Sequence, residues 1–260
     1  MIKAAFFDLD GTLLNSIGGL RSSMNLVMKK FGFNEISAEQ TKQYVGNGYQ
    51  KFTECALKAT ADSLYAKAEK AERKNPDLAM ELEMQADDVL ASYDEACEEY
   101  LKVYADHYLD DSAPYPGMKE TLEQLKAQGI KIACITNKPK VPTDKTLREA
   151  FGEGYFDYVV CDDGIVPRKP DPTGCGNAMK ALGVTKDEVL YLGDTKTDMQ
   201  TAVNAGLKAV GCLYGFRDEK ELKGNGADYL IKEPLELLSI VKSLNESKQP
   251  CLHFRRRYIV

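Results

Sequence analysis

Four short segments of this 260-residue chain set acidic, basic and hydroxyl side chains directly after apolar runs: Asp8-Leu9-Asp10-Gly11-Thr12, Thr136-Asn137-Lys138, Arg168-Lys169-Pro170-Asp171, and Gly193-Asp194 with Asp198 four residues on. Asp8 and Asp10 sit where a strand runs into a turn, a placement that points two carboxylates at one cavity. Close carboxylates repel, so one keeps its proton unless a cation intervenes. That suits a nucleophile paired with a general acid/base. Asp194 adds a third carboxylate. Three converging acidic groups call for a hard cation, and oxygen ligands alone select Mg²⁺ over zinc. Mg²⁺ would shield Asp8, so that an anion can attack an anionic phosphate. Lys169 supplies a fixed positive charge, and Thr136 with the amides after it offers hydrogen bonds to phosphoryl oxygens. Each segment alone has a plainer reading: Asp-x-Asp is often only a turn, and Gly-Asp-x-x-x-Asp can start a helix, with Asp194 or Thr195 as its cap.

The elements that must position these groups follow from the apolar pattern. Lys3 to Leu9 is a strand-length run ending at Gly11, and a polar flap spans Leu13 to Gly19. Leu20, Met24, Val27, Met28 and Phe31 recur at helical spacing, with Gly32 as the cap. A loop at Gly46-Asn47-Gly48 interrupts this region. Residues Ala61 to Ala105 are strong helix formers, broken at Asn75-Pro76-Asp77. After Pro114-Tyr115-Pro116-Gly117, strands and helices alternate. Strands are expected at Ile130–Thr136, Tyr158–Cys161, Val189–Leu192, Ala209–Cys212 and Tyr229–Ile231. Continuous apolar strands between helices mean a parallel sheet covered on both faces. The expected architecture is α/β: a doubly wound, Rossmann-like parallel sheet with a helical cap inserted after its first strand. The core takes residues 1–15 and 116–250, the cap 16–115, and a tail 251–260 carries Arg255-Arg256-Arg257. Ligands of such sheets sit beyond the carboxyl ends of the strands, where the four segments fall.

Composition narrows the function classes. A net charge of −6 argues against a nucleic-acid partner, which wants a basic face. No apolar run approaches a membrane span, and carboxylates come too early for a signal peptide, so a cytoplasmic protein is expected. The seven cysteines are odd in number and none are in CxxC spacing, which argues against a disulfide framework or structural zinc. His107 and His253 are too few for a histidine-rich metal site.

Together the segments FFDLDGTLLNS, ITNKP, RKPDP and GDTKTDMQTAVNAG resemble the four motifs of the haloacid dehalogenase superfamily of phosphatases. The resemblance implies Asp8 as nucleophile and Asp10 as general acid/base, its carbonyl also meeting Mg²⁺. It implies a phosphate-binding role for Thr136, with Gly11, Thr12 and Asn137 beside it. Lys169 matches the third-motif lysine, Asp194 the metal ligand and Asp198 its supporting carboxylate. Val45-Gly46-Asn47-Gly48, Tyr214-Gly215-Phe216-Arg217 and Ala227-Asp228-Tyr229 are similar to the phosphoglycolate phosphatase-like subfamily, which puts Asn47 and Arg21 forward as groups that meet a small acid. Two departures stand out. Asn15 replaces a usual acidic residue, and Ala61 to Leu90 looks like an added helical hairpin, which also offers a dimer face.

The expected substrate is a small phosphorylated metabolite, phosphoglycolate first, then a sugar phosphate or pyrophosphate, acted on by a monomer or homodimer. A phosphohexomutase is the close rival, but the Gly-Asn-Gly loop lacks a basic residue to hold a sugar. A phospho-acceptor switch is the reading from another class; Asp10 speaks against it, because a switch needs no general acid/base.

Overall fold

The computed structural model describes residues 1–247. The tail, with Arg255-Arg256-Arg257, His253 and Cys251, lies outside the described residues. Six parallel strands form the main sheet in the order β5-β4-β1-β6-β7-β8. They are β1 (Ala4–Phe7), β4 (Lys131–Pro139), β5 (Tyr158–Asp162), β6 (Val189–Gly193), β7 (Lys208–Cys212) and β8 (Tyr229–Ile231). The apolar runs are continuous because both faces are buried. Ala5 and Phe7 pack with Ile132, Cys134, Leu190 and Leu192 on one side. Ala4 and Phe6 pack with Ala133, Ile135, Val189 and Tyr191 on the other. This is the period of two of a strand, spent on apolar side chains at every position. Helices α6 (Met118–Ala127) and α11 (Glu236–Glu246) cover the first face, and α8 (Thr173–Leu182) and α9 (Lys196–Ala205) the second. α7 (Lys140–Phe151) follows β4, and α10 (Glu219–Gly224) precedes β8.

The expected flap after β1 holds a short antiparallel pair, β2 (Leu14–Asn15) with β3 (Ala113–Pro114). Between these two strands run α1 (Ile17–Lys30), α2 (Ala38–Tyr44), α3 (Tyr49–Ala71), α4 (Pro76–Ala91) and α5 (Tyr93–His107). They share a separate apolar core built on Met24, Met28, Phe52, Leu57 and Tyr100. The break at Pro76 falls where expected, with Asn75 accepting from the Leu78 N–H as N-cap. A second break at Ser92 has no glycine or proline to announce it. The hairpin of α3 and α4 closes on small residues, Ala61, Ala68, Ala79 and Ala86, all buried. Helix α2 begins with a capping box of Ser37 and Gln40. Strand β4 runs three residues beyond its expected end at Thr136, and its pairing with β5 shifts between Ile135 and Pro139. Among the described residues, no helix is long and apolar enough to cross a membrane.

Candidate active site

β1 lies between β4 and β6, the point where the strand order switches direction; the ends of β1 and β4 open on one cavity, and Asp194 at the end of β6 is buried close behind Asp8. Asp8 follows β1, Thr136 lies in β4, and Asp194 follows β6. The Asp8 N–H donates to the Leu192 carbonyl at 2.9 Å, which fixes the Asp8 backbone against β6. Gly11 has a φ of +91°, and a Cβ there would collide with the Asp194 carboxylate. Gly193 is equally confined, since a Cβ would strike Asp198. Glycine at 11 lets the first and fourth segments close on each other, and glycine at 193 lets the fourth fold back against its own Asp198.

Asp8, Asp194 and Asp198 are buried, and one carboxylate oxygen of each lies within 4.8 Å of the others. Lys169 Nζ bridges Asp8 Oδ1 and Asp198 Oδ1, at 2.7 Å each. One lysine does not balance three buried anions. Burial, then the Asp198 charge, pushes Asp8 up to about 7, against the pull of Lys169. Burial, Asp198 and Asp8 raise Asp194 as well. Burial disfavours the Lys169 charge, but Asp198 and Asp8 outweigh it and hold the ammonium protonated. The uncompensated negative charge and the all-oxygen donor set fit a hard divalent cation such as Mg²⁺.

The other groups fall into supporting positions. Thr12 Oγ1 donates to Asp194 Oδ1 at 3.0 Å, and the Phe216 N–H donates to Asp194 Oδ2 at 2.8 Å, so Thr12 orients Asp194 and does not line the cavity. Asp198 uses Oδ2 to accept from the Thr195 N–H at 3.0 Å and from Thr195 Oγ1 at 2.6 Å, starting α9, while Oδ1 takes Lys169. Asp198 therefore both helps start α9, where Thr195 is the N-cap, and holds Lys169, a contact the sequence did not announce. Asn137 clamps the Lys169 backbone: its Nδ2 donates to the Lys169 carbonyl and its Oδ1 accepts from the Lys169 N–H. Thr136 lines the cavity, and its Oγ1 accepts from the Lys138 N–H at 3.1 Å. Arg168 anchors the third segment by donating from Nε and Nη2 to Asp162 Oδ2.

The Asp10 carboxylate is not part of the acidic trio. It pairs with Lys138, whose Nζ lies 2.9 Å from Oδ1 and 3.3 Å from Oδ2. Lys138 also donates to the Tyr104 hydroxyl on α5. Sequence reasoning assigned no role to Lys138, Tyr104 or the other aromatic residues of the cavity ceiling, Tyr49, Phe52 and Tyr100. The sequence carried no signal for them beyond the basic residue in the second segment.

Two expected substrate groups lie elsewhere. Asn47 does not line the cavity; its Oδ1 accepts from Thr197 Oγ1 at 2.8 Å, tying the loop before α3 to α9. Gly46 and Gly48 beside it do line the cavity. Arg21 is exposed on α1 and away from the lining. His107 pairs with Asp110 at the surface, also outside the lining. Of the cysteines, Cys97 and Cys134 are buried and Cys55 is half-buried, all three as free thiols.

Residues 5–212 match the haloacid dehalogenase-like hydrolase family. The chain is 30% identical over 241 residues to the phosphoglycolate phosphatase of Nitrosospira multiformis, covering 93% of this chain and 96% of the relative. It is 31% identical to the phosphoglycolate phosphatase of Vibrio parahaemolyticus, covering 92% and 96%. A solved structure from Lactobacillus delbrueckii subsp. bulgaricus, provisionally described as a phosphoglycolate phosphatase, superposes with a TM-score of 0.79 at 27% identity, covering 92% of this chain and 98% of that one. With the match running from β1 to β7 and across all four site segments, the chain belongs to the haloacid dehalogenase-like hydrolases.

Proposed function

We propose that the protein is a Mg²⁺-dependent phosphomonoester hydrolase that works through an aspartyl-phosphate on Asp8. Residues 1–15 and 116–247 form its catalytic core, and residues 16–115 its cap; residues 248–250, expected in the core, lie outside the described residues. The observation that carries this reading is the 2.7 Å contact of Lys169 Nζ with Asp8 inside a buried trio of carboxylates. Asp8 Oδ1 is held by Lys169, and the carboxylate faces the same cavity as Asp10 and Thr136. Asp8 attacks phosphorus, Asp10 gives a proton to the leaving alcohol, and Asp10 then takes a proton from the water that releases phosphate. Lys169 and Thr136 stabilise the charge that grows on the phosphoryl oxygens.

Asp8 and Asp194, with the Asp10 carbonyl, would hold Mg²⁺, and Asp198 would support them through Lys169 and the start of α9. Bound there, Mg²⁺ would offset the negative charge shared by the carboxylates and the phosphate. Phosphoglycolate is the first substrate to test, because the relatives at 30% and 31% identity carry that activity in their names.

The test is phosphate release, with Mg²⁺, from phosphoglycolate, ethyl phosphate, several sugar phosphates and pyrophosphate, with Asp8→Asn as control. Release that depends on Asp8 supports the reading. Release that survives Asp8→Asn removes the covalent mechanism, and no release from any compound removes the hydrolase reading.

A further inference from the structure

We infer that the helical insert positions the metal ligand Asp194 through Phe216 and Arg217. Mg²⁺ then binds more tightly with the insert seated on the sheet, and bound Mg²⁺ holds the insert in its seat. The inference rests on the reading that Asp194 holds Mg²⁺. It goes beyond that reading by making metal affinity depend on a contact between insert and core.

The first ground is a run of three residues after β7, each committed to a different partner. The Gly215 backbone lies against Asp194, where a Cβ would stand 2.3 Å from the Asp194 Cβ and 2.5 Å from the Gly11 carbonyl oxygen. The Phe216 N–H donates to Asp194 Oδ2 at 2.8 Å, while its side chain packs against the apolar core of the insert. Arg217 donates to the carbonyls of Lys42, Gln43 and Val45, at the end of α2. Neighbouring Cα atoms are about 3.8 Å apart, so a run this short has no slack. Displacing the insert pulls on the Phe216 ring and the Arg217 guanidinium, and with them on the N–H that orients Asp194. Asp194 is fully buried, so bulk solvent does not replace a donor that moves away.

The second ground is where the insert's own loop rests. Residues 45–48 sit on the first turn of α9, beside Asp194 and Asp198. A Cβ at Gly46 would lie 3.2 Å from the Thr195 methyl, and Asn47 Oδ1 accepts from Thr197 Oγ1 at 2.8 Å. Glu221 closes the ring: its Oε1 pairs with Arg217 Nε at 3.2 Å and accepts from the Lys196 N–H at 3.1 Å. Residues 194–198 are thus held on one side by the insert and on the other by residues 216–221.

The third ground is how a carboxylate ligand is held. Asp194 takes one hydrogen bond on each oxygen, from Thr12 on Oδ1 and from Phe216 on Oδ2. Thr12 belongs to the loop that follows β1, so it is independent of the insert. Phe216 is not. Groups that orient a metal ligand typically govern metal affinity by about tenfold to a hundredfold. Coupling of this kind is reciprocal: whatever the seated insert adds to Mg²⁺ binding, Mg²⁺ adds to the seating of the insert.

The experiment titrates Mg²⁺ by calorimetry into the wild type, Asp194→Asn, Phe216→Ala, Arg217→Ala and Asn47→Ala. It also follows amide exchange of wild-type residues 38–48 in chelator and in Mg²⁺. Phe216→Ala keeps the N–H and removes only its anchor in the insert; Asn47→Ala changes a residue of the insert that touches none of the carboxylates. Phe216→Ala should weaken Mg²⁺ binding by roughly tenfold, and Arg217→Ala and Asn47→Ala by roughly threefold each. Mg²⁺ should slow wild-type exchange at 38–48 by several-fold. Affinities within about twofold of the wild type in all three variants overturn the inference, and so does exchange that Mg²⁺ leaves unchanged. In both cases the metal reading stands. If Phe216→Ala does not fold, Arg217→Ala and Asn47→Ala decide. A wild type that binds no Mg²⁺, or an Asp194→Asn that binds it equally well, overturns the metal reading and this inference with it.

Discussion

Asn137 and Lys169, 32 residues apart, exchange two hydrogen bonds: Nδ2 donates to the Lys169 carbonyl at 3.1 Å, and the Lys169 N–H donates to Oδ1 at 2.8 Å. The second segment thus holds the backbone of the third, and the lysine side chain is aimed at Asp8 by a buried amide rather than by its own loop. Asn137→Ala would leave one backbone donor and one acceptor unpaired in a buried setting, at a cost of about 1–3 kcal/mol each at most. The expected result is a lower urea midpoint together with a kcat reduced by roughly tenfold to a hundredfold. An unchanged kcat in the folded variant would show that Lys169 needs no such clamp.

The helical insert is tied to the sheet by polar contacts as well as packing. Arg217 donates to the carbonyls of Lys42, Gln43 and Val45, satisfying the open end of α2, and Thr197 donates to Asn47. Arg217→Ala should free the loop at 45–48, which forms part of the ceiling. Faster amide exchange in residues 38–48 and a kcat/KM lowered by roughly tenfold are expected. Unchanged exchange would mean that packing alone seats the insert.

The electrostatics of the trio give a pH dependence. Asp8 rises from 3.8 to about 7 through burial and the Asp198 charge. Between those values the folded chain keeps a proton that the unfolded chain gives up. Its contribution to stability is therefore present below the unfolded value and is lost as pH rises through about 7. In chelator, Asp8→Asn should be more stable than the wild type at pH above that window, by on the order of 2–4 kcal/mol, and nearly equal below it. Mg²⁺ should narrow the gap by stabilising the wild type. Urea midpoints across pH with and without Mg²⁺ test this, and a variant no more stable in alkaline chelator would contradict it.

The long hairpin can be separated from the chemistry. The cavity lining stops at Phe52 on α3 and resumes at Tyr100 on α5, so nothing between them touches the site. Tyr65 and Asp87 meet across the two helices, which makes residues 66–85 a removable tip. Replacing them with a short glycine-rich turn should keep kcat/KM within about threefold, less than 1 kcal/mol of transition-state binding. A larger loss would assign the hairpin a role in seating the insert.

The sheet was legible because β1, β4 and β6 bury both faces and so read as unbroken apolar runs, with Asp8, Thr136 and Asp194 at or beside their ends. The supporting contacts were not, because their partners are remote. Lys138 looks like a turn lysine until Asp10, 128 residues away, is brought beside it. Asn47, flanked by glycines, resembles a ligand-binding residue, yet Thr197, 150 residues on, takes its side-chain oxygen. The break at Ser92 lies among strong helix formers with no glycine or proline to mark it. Helix α2 did carry its Ser-x-x-Gln signal, but in seven residues only Thr41 is buried, too little for an apolar period.

The covalent mechanism turns on whether Asp8 becomes phosphorylated. The direct measurement is rapid acid quench of Asp10→Asn turning over phosphoglycolate or ethyl phosphate with Mg²⁺, followed by peptide mass analysis. The expected result is a phosphoryl group on the peptide that carries Asp8, formed slowly because the variant lacks the acid for the leaving alcohol and persisting because it lacks the base for hydrolysis, and none in the Asp8→Asn control. Continued phosphate release with no phosphoryl group on that peptide at any time would mean that water attacks the ester directly, and would contradict the covalent mechanism.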